Sequence, residues 1–213
     1  MVRGRIVQFI RDEFETGKIR KELFPMMTHF GIRDYSETVH TVGLNYITAI
    51  ARHIEGCTSL SEYPVYPGEY SCLNVAEERT VYMGEGAAGS EVRTDSVWYD
   101  KRSNQPILIS EFERYENNRK KKAKLKEKIQ NLLIAYHQLG GNVPVILFVY
   151  WSYARVTPGD ISSFISILDN GFCSSKGNFM PGINGRKTSY LVYHCIASGT
   201  RESLTLNQWI RVR

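Results

Sequence analysis

Arg93-Thr-Asp-Ser-Val-Trp-Tyr-Asp100, Lys101-Arg-Ser-Asn-Gln-Pro106 and Ile107-Leu-Ile-Ser-Glu-Phe-Glu113 follow one another as strand-forming residues, turn chemistry and strand-forming residues again. The pattern predicts a β-hairpin. Residues two apart on a strand share a face, so Glu111 and Glu113 extend the row begun by Ile107 and Ile109, while Phe112 points the other way. Two acids continuing an apolar, core-facing row are costly to bury without compensation. A turn near residues 101–105 brings Asp95 opposite the neighbourhood of Glu111, which makes three carboxylates converge.

Outward from the hairpin, the signals alternate. Leu125, Ile129, Leu132, Leu133, Tyr136 and Leu139 recur at helical spacing before Gly140-Gly141, predicting a helix of about twenty residues. Val143-Pro-Val-Ile-Leu-Phe-Val-Tyr-Trp151 is a continuous apolar run, the mark of a strand buried on both faces. Upstream, Ser36 as cap, Glu37 in the first turn, Val39, Val42, Leu44, Ile47, Ile50 and Ile54 on one face, and Gly56 as stop predict another helix. It carries Glu37 and His40 three residues apart. Ile6, Phe9, Ile10 and Phe14 predict an amphipathic helix reaching about Lys21.

Residues 57–89 read as irregular chain around one short strand, Arg79-Thr-Val-Tyr-Met83. The glycines at 84, 86 and 89 lack the Lys-Ser/Thr and the following helix of a phosphate loop. Downstream, a helix is expected over 161–168, a loop over 171–187, a strand over 190–196, and a helix or strand over 204–212. The whole predicts an α/β fold with a mixed central β-sheet flanked by helices. It is read as one domain, 1–213, with a core at about 36–153 between an N-terminal helical and a C-terminal α/β extension.

Composition narrows the function classes. The chain has 213 residues, 42% of them hydrophobic, but no stretch approaching the ~18 apolar residues of a membrane span. Its basic start is followed by mixed polar sequence and not by a secretory apolar core, so the expectation is a soluble, intracellular, cytoplasmic protein. Four scattered cysteines, with no paired spacing, imply neither zinc nor disulfides. A formal charge of +5 and a pI near 9.0 suit a polyanionic partner. The basic residues concentrate just after the acids, at Arg114, Arg119, Lys120, Lys121, Lys122, Lys124, Lys126 and Lys128. Taken alone that run is the wet face of a helix. Next to a metal cluster it acquires the role of neutralising phosphates.

Three carboxylates offer the hard oxygen donors that suit Mg²⁺ or Mn²⁺ better than zinc, and such a cation promotes phosphodiester hydrolysis. Asp95, a strand and turn, Glu111-Phe-Glu113 closing an apolar strand, a basic helix and a buried strand together resemble the core of the PD-(D/E)xK nuclease superfamily. Arg93-Thr-Asp95 matches its P-D element, with Thr94 in place of proline, and Ile109-Ser-Glu-Phe-Glu113 matches its hydrophobic (D/E)-x-K element. The resemblance implies a restriction-endonuclease-like fold and a Mg²⁺-dependent endodeoxyribonuclease. Its metal ligands would be Asp95, Glu111 and Glu113, with Glu37 as a further catalytic acid. Arg114, Arg119, Lys120, Lys121, Lys124 and Lys128 would bind nucleic acid, with DNA the expected substrate, no membrane partner, and a homodimer compatible as one way to cut both strands.

The usual lysine of the motif is Glu113 here, which leaves two readings of its role. The lysine function moves to the next helix, at Lys124 or Lys128, where Gln130 and Tyr136 also lie, or the chain is an inactive relative that holds nucleic acid. Glu85 or Glu91 are alternatives to Glu37 as an extra ligand, and Glu37 by itself is an ordinary helix-start acid. Without a metal, the hairpin acids are expected to pair with Arg93, Arg114 or lysines.

Overall fold

A computed structural model describes residues 2–35, 37–65, 92–153, 156–173 and 179–213. In chain order these form α1 (Val2–Thr16), α2 (Lys18–Leu23), a π-helical turn (Met26–Phe30), α3 (Thr38–Arg52), β1 (Cys57–Val65), β2 (Val92–Asp100) and β3 (Pro106–Arg114). Then come α4 (Arg119–Gln138), β4 (Val145–Tyr153), α5 (Ile161–Asn170), β5 (Phe172–Cys173), β6 (Phe179–Met180), β7 (Ser189–Thr200) and β8 (Ser203–Arg211). Six strands make one mixed sheet in the order β1-β2-β3-β4-β7-β8. The β3–β4 and β4–β7 pairs are parallel and the other pairs antiparallel. The α/β class and the mixed central sheet flanked by helices are therefore as expected.

The apolar run reaches the middle of the sheet for the anticipated reason. β4 is buried at eight successive positions between two parallel neighbours, so both of its faces need apolar side chains. On one side of the sheet Ile6, Ile10 and Phe14 of α1 and Val39, Tyr46, Ile47 and Ile50 of α3 pack against Leu108, Phe112, Leu147 and Tyr193. On the other, Leu125, Ile129, Leu132 and Leu133 of α4 and Phe164 and Leu168 of α5 cover Val97, Ile109, Ile146, Phe148 and Val192. The second helix layer is fixed at its start by Asn118, whose side-chain oxygen accepts the Lys121 N–H at 2.9 Å.

Several expectations shift. The N-terminal helix does not run on to Lys21: Gly17 turns left-handed, at φ 63°, and splits it. The buried Glu13 carboxylate then accepts the N–H groups of Ile19 and Arg20, giving α2 a fixed start. α3 begins at Thr38, and Glu37 before it makes no side-chain cap. Ser36, the expected cap, lies outside the described residues, as do the Arg79-to-Met83 strand, the 84–89 glycines, Glu85 and Glu91.

β1 was not anticipated. It pairs along the whole of β2 and carries Pro64 on the sheet edge, where a missing N–H is tolerated. Ile107 joins Leu108 and Phe112 and not Ile109, because the hairpin register shifts between Trp98 and Tyr99. The 204–212 segment is a strand, and the expected 171–187 loop holds the small β5–β6 pair. Among the described residues no helix is long and apolar enough to cross a membrane.

Candidate metal centre

The β1–β2 register passes from Ser61↔Ser96 to Tyr63↔Thr94, and the β2–β3 register ends at Ser96↔Ser110. Glu62, Asp95 and Glu111 therefore fall in one row across three adjacent strands. Like charges facing one another across strands are unfavourable, so the row calls for cations. Asp95 sits where β2 parts from β3. Its Oδ2 accepts the Phe112 backbone N–H at 2.6 Å, leaving Oδ1 to face the space on either side.

Two cationic or metal-binding groups reach that oxygen from opposite layers. From α3, His40 Nε2 is 3.7 Å from Asp95 Oδ1 and 3.9 Å from Glu62 Oε1. His40 Nδ1 lies 2.7 Å from the Phe112 carbonyl; a carbonyl only accepts, so Nδ1 carries the proton and donates. Nε2 is thereby presented to the two acids, the arrangement a second hydrogen bond imposes on a ligating imidazole. One ligand atom each from His40, Glu62 and Asp95 lie within 4.8 Å of one another. From α4, Lys128 Nζ is 2.7 Å from Glu111 Oε2 and 3.7 Å from Asp95 Oδ1.

Glu111 is the most constrained member. Its side chain is 0% exposed; Lys128 Nζ meets Oε2 at 2.7 Å, while Oε1 has no ion-pair partner among the described residues. Burial pushes its carboxyl well above the usual range, the Asp95 charge pushes it further, and Lys128 opposes them. Burial pulls the Lys128 ammonium down, but Glu111 and Asp95 outweigh that and hold it above its ordinary value. The His40, Glu62 and Asp95 ligand atoms form a group that could hold a divalent cation, with the buried Glu111 carboxylate next to Asp95.

Glu113 sits differently. It is buried, yet Lys124 Nζ lies 3.2 Å from Oε2, Lys121 Nζ lies 3.6 Å from Oε1, and the Arg114 N–H donates to Oε1 at 3.0 Å. Its charge is met by α4. Glu37 does not reach the row of acids by any short contact; it lines a cavity of about 120 Å³ with His40, Glu113, Arg114, Lys121 and Lys124 at the mouth of the site.

The basic run divides. Arg114 is held by Asp34 at 2.9 Å and Glu116 at 2.7 Å and lies over the Trp151 and Tyr153 rings, so it braces the ends of β3 and β4. Lys121, Lys124 and Lys128 face the carboxylates, whereas Arg119 and Lys120 are exposed on the first turn of α4. Tyr136 is spent at the far end of the same helix, bonded to Gly141 O and the Asn184 N–H.

Glu62 and His40 are the site residues that sequence reasoning passed over. His40 was placed on the correct helix turn, but its aim depends on the Phe112 carbonyl of a distant strand. Glu62 belongs to the unanticipated β1. Comparison with models of protein families, with curated proteins and with solved structures finds no match to this chain.

Proposed function

We propose that this protein is a metal-dependent nuclease with a restriction-endonuclease-like core, hydrolysing phosphodiester bonds in DNA with Mg²⁺ or Mn²⁺ as cofactor. The observation that carries the reading is Glu111: a fully buried carboxylate beside Asp95, with Lys128 on Oε2 and Oε1 unpartnered among the described residues. Asp95 and Glu111 would hold the cation, with His40 Nε2 and Glu62 on the open side. When bound, the cation would lower the pKa of a water and polarise a phosphoryl oxygen.

The chain's own residues supply the rest. Lys128, fixed by Glu111 and Asp95, keeps a permanent positive charge at the acids, which takes the place of the lysine that Glu113 displaces from the motif. Glu113 holds Lys121 and Lys124 at the cavity mouth, where a backbone phosphate would meet them. In this assignment Glu113 positions lysines instead of ligating metal, and Glu37 and Arg119 to Lys120 border the approach.

A second reading has one observation in its favour. Lys121, Lys124 and Lys128 already neutralise the acids, as expected of an inactive relative that binds nucleic acid without cutting it. Calorimetric titration of Mn²⁺ and Mg²⁺ into the wild type and Glu111→Gln, with plasmid cleavage measured in parallel, separates the two. Metal binding and cleavage that both require Glu111 support the nuclease; cleavage that survives Glu111→Gln refutes the site; nucleic-acid binding with neither metal uptake nor cleavage leaves the inactive relative.

A further inference from the structure

The two ends of the sheet differ in what they expose. Along β4, Trp151 pairs with Arg114 beside the acids, and Val145 pairs with Ser189 at the opposite end, about 20 Å away at ~3.3 Å per residue. At that opposite end lies a cavity of about 350 Å³ whose walls include Val7 and Arg11 of α1, Asp169 of α5, Tyr190 of β7, and Arg211 and Arg213 from the end of the chain.

Its charges are not balanced internally. Asp169 is already engaged: Arg213 lies 3.1 Å from its Oδ2, and the Tyr190 hydroxyl donates to the same oxygen at 2.7 Å. Arg213 also lies over the Tyr190 ring, 5.1 Å from its centre, which fixes the guanidinium at the rim. Arg11 and Arg211, which both line the cavity, have no ion-pair partner among the described residues. Guanidinium groups left without counter-charge around one cavity favour an anion there.

We propose that this cavity is an anion site for a phosphate group, carried by a small phosphomonoester or by the backbone of a polynucleotide. Two uncompensated guanidinium groups match the two charges of a phosphomonoester, and their planar forks match its oxygens. The cavity is also separate from the carboxylate row, so binding there does not depend on a metal.

The test titrates the full chain with inorganic phosphate at constant ionic strength, by calorimetry and by thermal unfolding, with acetate as the control anion. Saturable phosphate binding is expected, weakened about tenfold or more in Arg11→Gln/Arg211→Gln and partly kept in Arg211→Lys, with no comparable acetate effect. Arg211 is exposed, so Arg211→Gln alone gives a variant whose core is untouched. Glu111→Gln is expected to bind phosphate like the wild type, which keeps this result independent of the nuclease reading. Adenosine 5′-monophosphate binding more tightly than phosphate, through the two arginines, identifies a small ligand as the source. Loss of affinity for a 5′-hydroxyl oligonucleotide in the double variant identifies the polynucleotide backbone. Phosphate that does not saturate, or binds the double variant as well as the wild type, overturns the proposal.

Discussion

The two faces of β3 obey different physics although their residues alternate along one strand. Toward α3, Phe112 is fully buried against Gly43, where an added Cβ would lie 2.2 Å from the ring. Toward α4, Glu111 and Glu113 are equally inaccessible but face lysines. The apolar face gains from close approach, and that closeness brings His40, one turn before Gly43, to the Phe112 carbonyl. The polar face tolerates burial only while each carboxylate has a cation. The contrast teaches that the site is set by both layers: α3 aims the imidazole, and α4 supplies the counter-charge.

The largest effect expected is on the polar face at Glu111. Glu111→Ala should lower Mn²⁺-dependent cleavage by ~10³-fold, about 4 kcal/mol of transition-state stabilisation, and abolish the metal-induced rise in melting temperature. Lys128→Met removes the one cation that lies beside Glu111 among the described residues. It should destabilise the protein by about 3 kcal/mol in urea unfolding, as expected when a buried charge loses its partner, and Mn²⁺ should restore part of that loss. If Lys128→Met is as stable as the wild type without metal, the polar face is not held together by ion pairs.

A neutral buried group on the same side gives a control. His194 is buried, stacks on Tyr150, and lies 2.7 Å from Ser152 Oγ. Because that hydroxyl donates to Val156 O, His194 Nε2 carries the proton and donates to Ser152. Burial lowers its pKa to about 4, against about 6.5 in the unfolded chain. Above pH 6.5 neither state is protonated and the group adds no pH dependence. As pH falls from 6.5 to 4 the unfolded chain takes up the proton first, so stability should drop by about 3 kcal/mol over that window. Urea midpoints at pH 7.5, 6 and 4.5 should show this slope, and His194→Gln should flatten it.

On the apolar face, Gly43→Ala should cost about 2 kcal/mol through overpacking against Phe112, read as a lower melting temperature with metal binding weakened through the displaced His40. An unchanged melting temperature would mean that α3 does not need its close approach. The smallest effect is expected at Glu113, whose charge the lysines meet already. Glu113→Gln should slow cleavage by about tenfold, through misplaced Lys121 and Lys124, roughly 1.4 kcal/mol. A loss as large as that of Glu111→Ala would instead restore Glu113 as a metal ligand.

Much of this was legible in local sequence. The hairpin, the buried β4 and the α4 stripe follow from period and turn chemistry, and the Asp95-to-Glu111 neighbourhood follows from hairpin arithmetic. The broken first helix was less visible, since it depends on Gly17 adopting a positive φ and on Glu13 capping residues beyond it. Alternation also misplaced Ile107, because a register shift beside Tyr99 resets the parity.

The sequence by itself determined which acids stand on one strand and which basic helix follows them, because strand parity and helical period are local properties of the chain. Only the tertiary structure decided the partners: Lys128 with Glu111, Lys121 and Lys124 with Glu113, and Glu62 and His40 beside Asp95. Those pairings depend on β1 closing the sheet edge and on two helices packing on opposite faces. A carboxylate's role is set by the nearest charge in space, and spacing along the chain does not encode that.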